Sequence, residues 1–138
     1  MKKVLFDTNI ILDIALKREP FFEDSQQLFL LIDQNKIVGN ISATTITDIY
    51  YIAKKEKSHN MAISFINNLI EVVEIIGIDK LTIKNALASD MKDFEDAIQS
   101  CAAEINDIDV IITRNKNDFT HSSVKVLTPN EFLSNLSK

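Results

Sequence analysis

Four acidic segments, far apart in the chain, carry the residue types best suited to chemistry. Asp7 follows the apolar run Val4-Leu5-Phe6, and Asp48 closes the stretch Ile41-Ser-Ala-Thr-Thr-Ile-Thr-Asp48. Asp93 and Asp96 open a stretch with helical spacing, while Asn115 and Asp118 follow the strand-like Val110-Ile-Ile-Thr113. Carboxylates drawn together repel one another. At about 4 Å, two unit charges interact by roughly 4 kcal/mol at an effective dielectric of about 20. A cluster of this kind needs a proton or a cation, and hard cations such as Mg²⁺ or Mn²⁺ prefer oxygen ligands. The chemistry open to it is that of a bound cation, which can polarise a substrate oxygen or activate a water. Everything turns on whether the fold brings the segments together.

The intervening elements read as alternating strands and helices. Lys2–Phe6 is a short buried strand. Asn9–Leu16 has helical spacing through Ile10, Ile11, Ile14 and Ala15, interrupted by Glu19-Pro20. A second helix runs from Phe22 to about Gln34, and Ile37–Ile41 forms a second strand. Helical spacing returns from Thr44 to about Lys55, and Ser58 caps a further helix carrying Ala62, Phe65, Ile66 and Leu69. The β-branched Val72–Ile78 reads as a third strand, and Asp79 caps a short helix through Leu81, Ala86 and Leu87. Phe94, Ala97, Ile98, Cys101 and Ala102 mark an amphipathic helix behind Asp93. Asp109–Thr113 and Val124–Leu127 complete the strands. Thr128-Pro129-Asn130-Glu131 combines a capping box with proline at the first helical position and starts the last helix. This order predicts an α/β fold, a three-layer α/β/α sandwich around a mostly parallel sheet of four to five strands. Ligands of such sheets bind beyond the carboxyl ends of the strands, where Asp7 and Thr113–Asp118 fall.

Composition narrows the function classes. The chain has 138 residues, 46% hydrophobic and 25% charged, with 2 Gly and 2 Pro, so a single domain over residues 1–138 is expected. No apolar run approaches the ~20 residues of a membrane span. The basic start Met1-Lys2-Lys3 is followed by too short an apolar run for a signal peptide. The single cysteine, Cys101, has no internal partner for a disulfide, which favours a reducing, cytoplasmic compartment. The net charge of −5 counts against a general phosphate-binding surface. Most of the acidic excess falls between Asp90 and Asp109, a pattern compatible with a local cation site.

In the order and spacing of Asp7-Thr8-Asn9, Ile41 to Asp48, Asp93-Phe94-Glu95-Asp96-Ala97 and Thr113-Arg114-Asn115-Lys116-Asn117-Asp118-Phe119, the chain resembles the PIN-domain family, and within it the VapC-like ribonuclease toxins. The resemblance spans essentially the whole chain. It implies a metal-dependent endoribonuclease with one or two Mg²⁺ or Mn²⁺ ions, RNA as substrate, 5′-phosphate and 3′-hydroxyl products, an antitoxin partner and a homodimer. By position, Asp7 and Asp96 match the first and third acidic ligands. Asp48 stands where the family most often has Glu, one methylene longer. Asn115 stands where many relatives carry Asp, and Asp118 follows three residues later, so either could fill the fourth place. Asp7, Asp48, Asp96 and Asp118 are the candidate catalytic carboxylates, with Asn115 a further metal ligand. Thr8, Asn9, Asp93 and Thr113 are candidates to support them.

Each of these residues also has a structural reading. Asp7 could simply end a strand and cap the following helix, and the pair Asp93 and Asp96, in a first helical turn, would gain about 0.3–1 kcal/mol from the macrodipole with no function required. Thr8 could cap locally, and Arg114 and Lys116 could contact phosphate or serve as loop cations. Lys17, Arg18, Lys54, Lys55 and Lys57 are further cations for substrate. Cys101 and Ser42 read as packing residues, and His59 and His121 lack metal-ligand spacing. Two other function classes stay open. One is a binding module with a degenerate site, suggested by Asp48 and Asn115. The other is phosphoryl transfer on small molecules, for which the first strand lacks the expected carboxylate pair.

Overall fold

The computed structural model describes residues 1–136. The elements are β1 (Lys2–Phe6), α1 (Thr8–Ala15), α2 (Phe22–Asp33), β2 (Ile37–Ser42), α3 (Ala43–Glu56), α4 (His59–Leu69) and β3 (Glu74–Ile76). They continue with α5 (Lys80–Ala88), α6 (Phe94–Ile105), β4 (Val110–Ile112), a 3₁₀ turn (Lys116–Phe119), β5 (Lys125–Leu127) and α7 (Pro129–Leu136). The five strands form one sheet in the order β3-β2-β1-β4-β5. Every pairing is parallel, with Val4 opposite both Gly39 and Val110. The expected layered α/β/α architecture is therefore present, with a sheet that is wholly rather than mostly parallel. The chain runs outward from β1 to β3, then returns to lay β4 and β5 on the other side of β1. That reversal puts the switch point between β1 and β4, the usual place for a ligand in an open parallel sheet.

Alternation along the central strands builds the two sides of the core. Val4 and Phe6, with Val110 and Ile112, pack against Ile10, Leu28, Ile49, Leu69 and Phe132 from α1, α2, α3, α4 and α7. Leu5 and Ile111 point the other way, onto Ala102 and Ala103 of α6. Helix α5 covers α6 through Ala86, Ala97 and Ile98. Strands covered on both faces read as continuous apolar runs, which is how β1 and β4 look in the sequence.

The third strand is shorter than its apolar run. Val72 and Val73 close α4 instead: their amides donate to Leu69 O at 2.9 and 3.1 Å, and the Val73 side chain joins the core. Strand β4 is also trimmed by one residue at each end, yet sheet-like bonds continue from Asp109 N to Lys3 O (2.9 Å) and from Thr113 N to Leu127 O (3.0 Å).

Gly39 lets β2 pass beneath α2. A Cβ there would stand 2.6 Å from Ile32 Cδ1 and 2.8 Å from Phe6 Cε2. Phe6 is fully buried and stacked on Phe29 at 5.4 Å, so its ring has little room to yield. Gly39→Ala is expected to lower stability by about 1–3 kcal/mol through overpacking, read as a shift in the urea midpoint.

Candidate active site

Asp7 sits at the carboxyl end of β1, beside β4, with 9% of its surface exposed. Its amide continues the sheet by donating to Ile112 O at 3.0 Å. Both carboxylate oxygens are held. Oδ1 accepts from the Thr8 amide (2.8 Å) and from Gln99 Nε2 (3.1 Å), and Oδ2 accepts from Thr113 Oγ1 (2.8 Å). Thr113 Oγ1 in turn accepts the Asn115 amide at 3.1 Å, which leaves its own proton for Asp7. Asp7 thus caps α1 while three donors offset the cost of burying its charge.

The other acidic segments converge on the same place. An open groove of about 330 Å³ is lined by Asp7, Asp48, Asp93, Glu95, Asp96 and Asp118, together with Thr8, Asn9, Gln99 and Asn115. Six carboxylates face it, and no lysine or arginine among the described residues lines it. Helix α3 delivers Asp48, and its start is tied to α1 by hydroxyls: Thr8 Oγ1 lies 3.0 Å from Thr45 Oγ1, which lies 3.2 Å from Ser42 Oγ. Asp48 is one turn beyond Thr45. Helix α6 delivers Glu95, Asp96 and Gln99, and begins where Asp93 Oδ1 accepts the Asp96 amide at 2.9 Å. Asn115 and Asp118 arrive on the turn after β4, where the Asp118 amide donates to Asn115 O at 3.0 Å.

That turn is anchored from below. Arg114 Nε stands 2.9 Å from Oδ2 of Asp13, which is completely buried on α1, and Nη2 donates to Asp13 Oδ1 at 3.3 Å. The Nε pair is an ion pair rather than an aligned hydrogen bond. Burial pushes the Asp13 carboxyl up, and Arg114 and then Arg18 pull it back. The Phe21 ring covers the guanidinium at 3.8 Å. Arg114 is therefore tied to Asp13, and Lys116 is paired with Glu131 at 3.2 Å.

Every site residue predicted from the sequence lines the groove except Thr113, which lies beneath it and bonds Asp7. Neither histidine lines the groove: His59 Nδ1 is 2.8 Å from the Tyr50 hydroxyl, and His121 borders an adjoining depression, with Met91 and Lys92, that shares Asp93 and Asp118 with the groove. Two polar groove residues were given no role in the sequence reading. Gln99, 1% exposed, bonds Asp7 and leaves its Oε1 buried without a partner. Its only sequence signal is its place three residues after Asp96, on the face α6 turns inward. Glu95 lies close enough to Asp48 for their side chains to hydrogen-bond when one of them is protonated. In the sequence it looks like an ordinary acidic residue of a first helical turn.

Crowding shows in the protons. The Glu95 carboxyl is pushed up to about 7, first by its bond to Asp48, then by burial and the charges of Asp48, Asp93 and Asp96. Asp96 is also pushed up to about 7, first by burial and then by Asp7, Asp93 and Asp118. No three acidic, histidine or cysteine side chains among the described residues are already drawn tightly enough to enclose an ion. The donor set is nonetheless that of a hard divalent cation: carboxylates, amides and a hydroxyl, with no cationic side chain lining the groove itself.

A carboxyl whose folded pKa exceeds its unfolded value favours the fold while protonated. That contribution is complete below the unfolded pKa and disappears as pH rises toward 7. EDTA-treated protein is accordingly expected to melt at lower temperature at about pH 8 than at about pH 5, and Asp96→Asn should flatten that slope. An equal slope in both proteins, measured by calorimetry, would rule out this origin.

Comparison with known proteins places these features in a lineage. A family model described as a PIN domain matches residues 3–117. Ribonuclease VapC1 of Aquifex aeolicus (strain VF5) is 29% identical over 136 residues, covering 95% of this chain and 93% of the relative. Among solved structures, a toxin-antitoxin complex from Klebsiella pneumoniae contains a similar chain, with a TM-score of 0.70 at 26% identity, covering 91% of this chain and 97% of that one. VapBC2 from Rickettsia felis, bound to a promoter DNA fragment, contains another, with a TM-score of 0.72 at 16% identity, covering 91% and 98%. The parallel sheet, the groove at its switch point and the match over most of its length make this chain a member of the PIN-domain family.

Proposed function

We propose that the protein is a Mg²⁺- or Mn²⁺-dependent endoribonuclease, the toxin of a toxin–antitoxin pair, acting in the cytoplasm as a homodimer. The observation that carries this reading is the groove itself: six carboxylates at the switch point of a parallel sheet, with no cationic side chain to balance them. The ribonuclease name of the Aquifex relative and the toxin–antitoxin character of the Klebsiella complex supply the substrate and partner class. No helix among the described residues is long and apolar enough to cross a membrane.

In this reading Asp7, Asp48 and Asp96 hold the ion, with Asp118 as the fourth carboxylate and Asn115 as a neutral oxygen donor. A bound Mg²⁺ or Mn²⁺ would polarise a phosphate oxygen, lower the pKa of an attacking water and offset charge in the transition state. The protein supplies placement. Thr8 N, Gln99 and Thr113 fix the plane of Asp7, leaving the outer side of Oδ2 as its open acceptor position. Glu95, bonded to Asp48, holds a proton that it can surrender when a cation enters. Asn9 and Asp93 complete the rim. An antitoxin segment carrying arginine or lysine would neutralise the same groove.

Purified, antitoxin-free protein is expected to cut total cellular RNA into discrete fragments with Mn²⁺, not with EDTA, and Asp7→Asn should reduce cutting to background. Unchanged cleavage by Asp7→Asn would sink the proposal. Gln99→Leu keeps the side chain's bulk but removes the donor to Asp7. It is expected to weaken Mn²⁺ binding about 10–100-fold, read from Mn²⁺-dependent thermal stabilisation without any RNA present.

A further inference from the structure

A second cavity, of about 200 Å³, opens beside the turn that carries Asn115 and Asp118. Phe21, Asp24, Ser25, Arg114 and Asn130 line it. It is smaller than the roughly 300–1,000 Å³ of a drug-sized site, and suits one planar heterocycle. Its walls are already ordered. Phe21 and the Arg114 guanidinium stack at 3.8 Å, and Asp13 clamps the guanidinium edge at 2.9 Å. Asp13 faces Nε as an ion pair and accepts one Nη2 proton of a group with five N–H donors, and no other acceptor among the described residues takes the rest. Ser25 Oγ, in a residue 1% exposed, likewise has no partner.

The cavity is continuous with the acidic groove. A shallow depression along residues 114–118 shares Arg114 and Thr128 with the cavity, and Asn115 and Asp118 with the groove. Lys116 also lines that depression. A nucleic-acid strand leaving the acidic groove by this route would run past Lys116 toward the cavity.

We propose that this cavity is a nucleobase pocket for the RNA strand, and that guanine is the base it matches. The inference rests on the ribonuclease reading for its ligand class. Guanine presents O6 and N7 as acceptors, the pattern that arginine donors recognise. Its N1–H and N2–H₂ groups suit the Asp24 carboxylate. Phe21 holds the Arg114 guanidinium flat, so its free Nη edge is presented in the plane that the base must take.

The test has two arms. In the first, nucleoside 5′-monophosphates are titrated into EDTA-treated protein while the Ser25 and Asn130 amide signals are followed by NMR. Guanosine monophosphate should shift them most strongly, and Phe21→Ala should bind it about tenfold more weakly. In the second, a random-sequence RNA pool is cut with Mn²⁺ and the ends are sequenced. Wild type should prefer guanine at one fixed position beside the cut. Asp24→Asn, which touches no groove carboxylate, should erase that preference while total cleavage stays within about tenfold. An uncut pool with guanosine monophosphate still binding at Ser25 and Asn130 would support the pocket and overturn the ribonuclease reading. Amides that respond to none of the four nucleotides, or to all equally, would overturn the pocket, as would a base preference unchanged in both variants.

Discussion

The fold is organised around one buried charge. Asp7 ends the central strand of a parallel sheet, where an unpaired carboxylate would cost several kcal/mol. Three donors answer it: the first amide of α1, a threonine hydroxyl at the end of β4 and a glutamine amide from α6. These donors come from three elements separated by up to 106 residues. Satisfying Asp7 therefore fixes how α1, β4 and α6 meet at the switch point, and the rest of the groove inherits that geometry. Asp48 lies on a helix whose start is tied to α1 through Thr8 and Thr45, and Asp96 lies on the helix that supplies Gln99.

Repulsion among the gathered carboxylates is larger than anything local that opposes it. A first-turn acidic residue gains about 0.3–1 kcal/mol from its helix. Two unit charges about 6 Å apart at a dielectric of about 20 repel by nearly 3 kcal/mol. The helix starts at Asp7 and Asp93 are thus insufficient compensation. Part of the balance falls to protons, whose affinity for Glu95 and Asp96 is raised by their neighbours and by burial. Proton and cation compete for the same oxygens, so occupancy of the groove by either is linked to pH.

Much of this was legible in the sequence because parallel sheets leave strong traces. Lys2–Phe6 and the run around Val110 are buried on both sides and read as unbroken apolar strands. Boundaries failed where one apolar run served two elements: Val72 and Val73 close α4, and only Glu74–Ile76 pairs with β2. Asp7 and the residues after β4 could be placed at strand ends by order alone. The convergence of Asp48 and Asp96 could not, since periodicity set Asp96 off the apolar stripe and only family resemblance selected it. Asp13 and Gln99 were illegible for a further reason. Each is a polar residue buried for the sake of a partner about a hundred residues away, Arg114 or Asp7, and local pattern carries no record of that.

The same accounting bears on the idea of a degenerate binding module. Asp48 is one methylene shorter than the glutamate common at its position in the family, and Asn115 carries no charge, so a weakened centre was a reasonable expectation from the sequence. In the fold, Glu95 bonds Asp48 from the opposite helix, and Asp118 stands close enough for its charge to act on Asp96. The groove keeps six carboxylates whose mutual repulsion destabilises the empty protein. Substituting almost any one of them with a neutral residue would relieve that strain. Local rules are broken in natural proteins mainly where function compensates. Gln99 follows the same logic: its side chain is buried with its carbonyl unpartnered, and its amide holds Asp7 in place.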